Sequence, residues 1–265
     1  MHFKGSNKLN DHIGHFKLPL RGLLRHFYDL AAKDYHSMLE VSVKVQDGQV
    51  FPGRVALFYY LEEKDIFIAW KHFRAFVDRI RQEEGIVLHE AIIQKVEATL
   101  SQLEGSLQFA VGIDLREHLP DSRIKFGLVG EAMGPAMQLL LTEMEPGRFP
   151  PSLLRRIRTG GFDLHMDGRY SLKLYPVFAQ HQWRDALEYF NFSESVSGLL
   201  SQSEYFYIAT HHRNFPVQLQ LTREQLFGII PMAGYPLCNE HNSYVLGLER
   251  DTGDLQTLVN YNLYY

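Results

Sequence analysis

The sequence predicts an α+β fold in which ten antiparallel strands surround a polar lumen inside a ring of helices, with the last helical unit shortened. Strand pairs of alternating apolar and polar residues recur about five times between helical stretches, at a spacing of roughly 50 residues and without close identity between copies. Every pair has an apolar face that helices can cover and an opposite face bearing charges and phenols. Closing the sheet abolishes its edges and turns the polar face into a wet, ligand-sized lumen; the alternative is an open antiparallel sheet with helices on one side and water on the other.

Helical spacing marks Lys8 to His15 and Leu20 to Lys33. Strand alternation from Leu39 to Val45 puts Val41, Val43 and Val45 on one face, Asp47-Gly48 is a turn dipeptide, and Arg54 to Tyr60 alternates again, completing a hairpin. Two helices follow, Asp65 to Gln82 and His89 to Leu103, the second ended by Gly105. Gln108 to Leu115 and Ser122 to Val129 form the second pair, with Ile124, Phe126 and Leu128 opposite Arg123, Lys125 and Gly127. The unit repeats as a helical stretch from Ala136 to Arg158, a hairpin of Gly161 to Met166 and Tyr170 to Val177, and a helix from Gln182 to Leu200. A fourth pair covers Glu204 to His211 and Pro216 to Leu221, and a fifth Tyr244 to Leu248 and Leu255 to Tyr265. Pro231, Gly234 and Pro236 break the helical part of that last unit.

With 265 residues, 45% of them hydrophobic, the chain can build a full core, and residues 1–265 are taken as one domain. A net charge of −4 with scattered Lys and Arg leaves no footprint for nucleic acid. No run reaches about 18 apolar residues, and Lys4, Lys8, Asp11 and Lys17 occupy the place of a signal h-region, so no membrane partner and a cytoplasmic location are expected. The lone Cys238 fits a reducing compartment as a half-buried thiol. Glycine fingerprints for nucleotides, G-x-S-x-G and H-E-x-x-H are missing, and neither the His12/His15 pair nor His211-His212 makes a convincing metal site. Paired aspartates of the D-D-x-x-D kind are missing too, so a bound diphosphate would have to be held mainly by protein cations.

Several segments carry a likeness. Gly112-Ile113-Asp114-Leu115-Arg116 running to Asp121-Ser122-Arg123-Ile124-Lys125 resembles a strand pair of the cyanobactin peptide prenyltransferases, the PatF/TruF group. Gly161-Phe162-Asp163-Leu164, Asp167-Gly168-Arg169 and Leu172-Lys173-Leu174-Tyr175 are similar to that family's next hairpin, and Leu39-Glu40-Val41 and Leu263-Tyr264-Tyr265 to its first and last strands. The resemblance covers the chain from about Leu18 onward, in order. It implies the ABBA prenyltransferase barrel and a transferase that moves dimethylallyl, sometimes geranyl, from its diphosphate to a linear or macrocyclic peptide, with Mg2+ accompanying the diphosphate rather than held by a dedicated protein site.

By that resemblance, Arg54 and Lys125 match diphosphate binders; Arg123 and Lys173 share their faces, and Tyr175, Gln220 and Asn262 complete the set. Tyr175, Tyr205, Tyr207 and Tyr264 alternate inward and suit cation shielding by their ring faces, with Tyr205 where the family limits the prenyl pocket and Gly127 pulling toward a larger one. Glu40 corresponds to the acidic group beside the acceptor nucleophile and is the expected catalytic base; Asp163 and His165 would join it in acceptor binding. Relatives carry extra basic or phenolic lumen groups where this chain has Gly127, Val129, Gln220 and Asn262, so the diphosphate contacts must be partly rebuilt. Arginine is favoured over tyrosine as the acceptor because the lumen has fewer cations beside Glu40 and Asp163. Two other readings stand beside this one: a barrel of the same fold acting on a small phenol or indole, and a non-catalytic binder of isoprenoid or peptide.

Overall fold

The computed structural model describes residues 6–32, 38–61, 66–100, 102, 107–130, 135–144, 151–189, 194–203, 205–208, 217–230, 243–248 and 260–265. Expectations for Cys238, for His211-His212 and for the Pro231, Gly234 and Pro236 break lie outside them. The strands are β1 (Met38–Gln46), β2 (Gln49–Leu61), β3 (Leu107–Asp114), β4 (Arg123–Val129), β5 (Ile157–His165), β6 (Tyr170–Ala179), β7 (Tyr205–Ile208), β8 (Val217–Thr222), β9 (Ser243–Leu248) and β10 (Tyr261–Tyr264). Each pairs antiparallel with its sequence neighbours, and β10 returns to pair with β1, so the strongly curled sheet runs as a ring. Helices α1 (Ser6–Phe16) and α2 (Gly22–Ala31) precede the first strand pair, and α3 (Ile66–Glu84), α4 (Glu90–Leu100), α5 (Pro135–Met144), α6 (Pro151–Leu154), α7 (Trp183–Tyr189), α8 (Glu194–Gln202) and α9 (Arg223–Ile229) lie between successive pairs in sequence. Among the described residues no helix is long and apolar enough to cross a membrane.

Alternation decides which way each strand faces. Val41, Val43, Val55, Leu57, Val111, Ile113, Ile124, Phe126, Phe162, Leu164, Leu172 and Leu174 are buried on the helix-covered side. Helix α3 supplies the matching surface: Trp70, Phe73, Phe76, Val77 and Ile80 recur at helical spacing and are buried. Trp70 and Phe73 meet Phe109 and Phe126 edge-on or tilted at ring separations of 4.9–5.9 Å, and Phe126 stacks on Phe162 at 4.9 Å. This aromatic layer ties the helix to three consecutive strands, and truncating one such ring costs about 3–5 kcal/mol.

Two local devices shape the lumen side. Asp47 and Gly48 both have positive φ (50° and 75°), the two-residue hairpin turn whose twist matches the flanking strands. Further along β2 the register with β1 shifts between Ser42 and Lys44, where Pro52 and Gly53 together oppose one residue. Proline donates no backbone N–H and suits such a bulge. A Cβ on Gly53 would sit 2.5 Å from that of Leu115, so only glycine lets the end of β3 pass. The next residue is Arg54, which the bulge directs into the lumen.

The structure corrects two expected helices. The stretch from Ala136 to Arg158 is not one helix: α5 ends at Met144, α6 is a single turn, and Ile157 already begins β5. Proline lacks the N–H an interior helical turn needs, so a sequence with Pro146, Pro150 and Pro151 does not favour one continuous helix; Pro151 opens α6 instead, and Ile157 is buried in the sheet. The helix expected over Gln182 to Leu200 divides into a 3-10 turn at Gln180–Gln182, α7 and α8. In the last unit α9 begins with a capping box, Thr222 Oγ1 accepting from Gln225 N at 3.3 Å and Gln225 Oε1 from Thr222 N at 2.8 Å, and spans only seven residues.

Candidate functional site

Registered cross-strand pairs stack the lumen residues in rungs. One rung runs Glu40, Ala56, Gly112, Lys125, Asp163, Ser171 across β1 to β6, and the next Ser42, Arg54, Asp114, Arg123, His165 across β1 to β5. Two rungs of one face thus bring charges from five strands together.

Two aspartates anchor the cluster. Asp114 and Asp163 are 1% and 2% exposed. Arg123 bridges them, its Nη2 donating to Asp114 Oδ2 at 2.8 Å and its Nη1 to Asp163 Oδ2 at 3.0 Å. Lys173 Nζ reaches Asp163 Oδ2 at 2.5 Å. Asp114 also faces Arg116 Nε at 3.3 Å, Lys125 Nζ at 3.6 Å and Arg54 Nε at 3.7 Å. Burial disfavours the ionised form of both carboxyls, yet Lys125, Arg54, Arg123 and Arg116 around Asp114, and Lys173, Lys125 and Arg123 around Asp163, outweigh it and hold both far below the ordinary carboxylate range.

Past β1, which pairs with both β2 and β10, Arg54 Nη1 donates to Asn262 Oδ1, and its Nη2 donates to Tyr264 Oη at 3.2 Å. Gln218 Nε2 donates to the same phenol oxygen at 3.3 Å. The guanidinium carbon lies 5.2 Å from the centre of the Tyr264 ring. Burial also pushes the Tyr175 and Tyr264 phenols upward, so both remain neutral at physiological pH. Glu40 is shifted the other way from the aspartates: burial lifts it to about 7 against the pull of Lys8, Arg54 and Lys125. A carboxyl so placed changes charge near neutrality.

Guanidiniums and lysines thus outnumber the two aspartates in a partly enclosed, low-dielectric space. Such a wall attracts an anion with several oxygens and supplies charge-assisted donors to it. Among the described residues no group of His, Cys, Asp and Glu is arranged to hold a metal. Asp114 and Asp163 are already committed to protein cations.

Of the residues expected at a site, Arg54, Arg123, Lys125, Asp163, Lys173, Asn262 and Tyr264 form this connected network, with Glu40 and Tyr175 within its electrostatic reach. His165 ends the second rung and hydrogen-bonds through Nε2 to Ser171 Oγ at 3.0 Å. Gln220 lies half-buried on β8 opposite Val245. Tyr205 and Tyr207 pair by backbone with Ala179 and Val177, and their side chains lie outside the described residues. A Cβ on Gly127 would sit 2.9 Å from the Gly160 carbonyl oxygen, so close packing of β4 on β5 explains this glycine without a ligand. Sequence reasoning missed Asp114, Arg116 and Gln218 as members. Asp114 was readable: alternation through Phe109, Val111 and Ile113 puts it on the lumen face, and the hairpin register places it opposite Arg123.

The architecture has known counterparts. The chain is similar to the solved structure of 6-dimethylallyltryptophan synthase from Micromonospora olivasterospora in complex with DMASPP and Trp, with 11% sequence identity over 85% of this chain and 80% of that one and a TM-score of 0.52. At that identity the likeness is one of fold, a curled antiparallel sheet with helices around it. No curated protein matches the sequence. The model of a family of unknown function, DUF5838, matches residues 17–218, and since this is well over half of its length, the chain belongs to that family.

Proposed function

We propose that the protein is a prenyltransferase that moves a dimethylallyl group from dimethylallyl diphosphate to a nucleophilic side chain, arginine or tyrosine first, of a ribosomally made, cyclic peptide. The observation that carries this reading is the excess of cations on one lumen wall, where, among the described residues, Arg54, Arg123, Lys125 and Lys173 share the ion-pairing carboxylates Asp114 and Asp163. The diphosphate oxygens take these donors, and the charge that builds on the leaving group as the allylic C–O bond breaks is met by fixed positive charge. Magnesium would supply further neutralisation of diphosphate charge; with Asp114 and Asp163 engaged by protein cations, it would be expected to accompany the diphosphate rather than be held by these carboxylates.

The neutral rings of Tyr175 and Tyr264 suit an allylic cation, whose charge their faces attract and whose carbon they screen from water. Tyr205 and Tyr207 are assigned the same shielding role from their strand positions, with Tyr205 limiting the donor to five carbons. Glu40 receives the proton lost when the acceptor nitrogen or oxygen attacks, and a value of about 7 suits a base working near neutral pH. Acceptor binding by Asp163 and His165 rests on the family likeness alone, since Asp163 is already engaged by Arg123 and Lys173, and Gln220 and Asn262 are assigned as neutral donors where relatives carry charge. The peptide acceptor rests on the strand-pair likeness to cyanobactin enzymes. A small indole acceptor is the second reading, favoured by the tryptophan named in the structural counterpart.

The test is incubation with dimethylallyl diphosphate and magnesium in the presence of cyclic peptides or free tryptophan, read by mass. A gain of one prenyl unit on a peptide, lost in Arg54→Ala and slowed in Glu40→Ala, supports the first reading; a gain on tryptophan alone supports the second. Saturable diphosphate binding without turnover on any acceptor makes the protein a carrier, and neither binding nor turnover ends the proposal.

A further inference from the structure

The cluster is overcommitted at one atom. Asp114 Oδ2 faces Arg123 Nη2 at 2.8 Å, Arg116 Nη2 at 3.4 Å, Lys125 Nζ at 3.6 Å and Arg54 Nε at 3.7 Å. One carboxylate oxygen cannot neutralise four cations, and repulsion among them grows as water is excluded. Guanidinium groups do not release their protons, so relief must come from a lysine. Lys173 lies 2.5 Å from Asp163 Oδ2, an oxygen it shares with Arg123 alone among the ion pairs of the described residues, whereas Lys125 shares Asp114, its one ion-pair partner among those residues, with three arginines. Lys125 also lies mid-strand between Arg123 and Gly127, its side chain 23% exposed to the lumen.

We infer that Lys125 is an ionisation switch: it stands as an uncharged amine while the lumen is empty and takes up a proton as a polyanionic group enters, so that anion binding and proton uptake are one event. The inference rests on the anion-site reading of the lumen and deepens it by naming what regulates occupancy. The titratable and charged groups of the cluster that holds Lys125 are Lys8 from α1, Glu40 from β1, Arg54 from β2, Asp114 and the following Arg116 at the end of β3, Arg123 from its own β4, Asp163 and His165 from β5, Lys173 and Tyr175 from β6, and Tyr264 from β10. Burial first, and Arg54 next, press Lys125 well below the usual lysine range, against the pull of Asp163 and Asp114. An entering diphosphate brings several negative charges to the same wall and reverses that balance, which makes the ammonium the favoured form. The charged lysine then donates to the ligand that called for it. Proton and anion enter together, so a full complement of cations exists only when there is an anion to hold.

The sign follows from linkage. Where the pH lies between the values of Lys125 in the empty and the filled lumen, binding consumes a proton, so affinity falls as pH rises. The probe is isopentyl diphosphate, saturated and therefore unable to form an allylic cation, titrated calorimetrically near pH 8.5 in two buffers of different ionisation enthalpy. The wild-type protein is expected to take up about one proton per ligand, with affinity falling by up to about tenfold per pH unit. Lys125→Arg carries a permanent charge and should bind with little proton exchange and a flat pH profile, while Glu40→Gln should retain the uptake. Binding without proton uptake by the wild type overturns the inference and leaves the anion site standing. Uptake that survives in folded Lys125→Arg but vanishes in Glu40→Gln or Lys173→Arg overturns the assignment to Lys125. No binding at any pH overturns both. Should Lys125→Arg fail to fold, the wild-type, Glu40→Gln and Lys173→Arg titrations still decide: uptake kept in both variants supports Lys125, and uptake lost in either overturns the assignment.

Discussion

Among the described residues, strands β1 to β6 run for seven to thirteen residues, whereas β7 to β10 run for four to six. The long-stranded half supplies Glu40, Arg54, Asp114, Arg123, Lys125, Asp163 and Lys173 to the lumen. The short-stranded half faces them with Gln218, Gln220, Asn262 and Tyr264, none of them charged. The difference teaches where a buried charge cluster can stand. Like charges held a few ångströms apart need a backbone that does not yield, and long ladders backed by an aromatic core provide one. Neutral amides and a phenol tolerate a shorter, less anchored wall.

Asp114→Ala should break this comparison most severely. It leaves Arg54, Arg116, Arg123 and Lys125 without their shared carboxylate, and loss of one partner from a buried ionic network costs about 3–5 kcal/mol, readable as a lowered urea midpoint. Added sulfate or diphosphate should recover part of the loss. A variant as stable as wild type without added anion would mean that the cations are not under mutual strain.

A pair of glycines sharpens the point at the next level. A Cβ at Gly127 meets the Gly160 carbonyl oxygen at 2.9 Å, while one at Gly161 meets nothing closer than 3.6 Å. Gly127→Ala is expected to destabilise by about 1–3 kcal/mol, and Gly161→Ala by clearly less, in parallel thermal melts. Equal losses would show that the two long strands can part without penalty.

Glu40 tests the electrostatic side through pH. Its folded value of about 7 lies above its ordinary value of 4.5, so the group destabilises the fold once pH exceeds the unfolded value, increasingly up to about 7 and constantly beyond. Glu40→Gln should therefore be the more stable protein at pH 8, by on the order of 1–3 kcal/mol, with the advantage gone below about pH 4.5. Asp114 and Asp163 work in the opposite sense: their folded values are depressed, so the stability they confer is present above the ordinary aspartate range and is lost in acid. A Glu40→Gln curve parallel to wild type at every pH would remove the carboxyl from the low-dielectric lumen.

Within the neutral half, Gln218→Ala removes only the 3.3 Å donor to Tyr264 and should cost no more than about 1 kcal/mol, with diphosphate affinity unchanged. Hydrogen exchange gives the same contrast without mutation. Amides of β7 are expected to exchange faster than those of β3 to β5, because short ladders open at lower free energy. Uniform protection around the ring would erase the distinction between the halves.

Much of this was legible along the chain, because alternation is a local property. Val41, Val43 and Val45, or Phe162 and Leu164 against Asp163 and His165, declare their faces without reference to any partner, and Asp47-Gly48 declares its turn. Proline chemistry alone should have shortened the helix expected from Ala136 to Arg158, since Pro146, Pro150 and Pro151 precede Ile157. The bulge at Pro52-Gly53 was harder to see, because its cause is the end of β3 passing Gly53, remote in sequence.

By itself, then, the sequence determined which residues face the helices and which face the lumen, since a period of two needs only neighbours along the strand to define it. Beyond the Asp114–Arg123 pair, which their own hairpin sets face to face, tertiary structure decided which of the lumen charges meet. Arg123 bridging Asp114 and Asp163, Arg54 reaching Asn262 and Tyr264, and Lys125 crowded by three guanidiniums all depend on register between strands far apart in the chain. Electrostatic energy follows distance in space, and the ring brings the first strand beside the last.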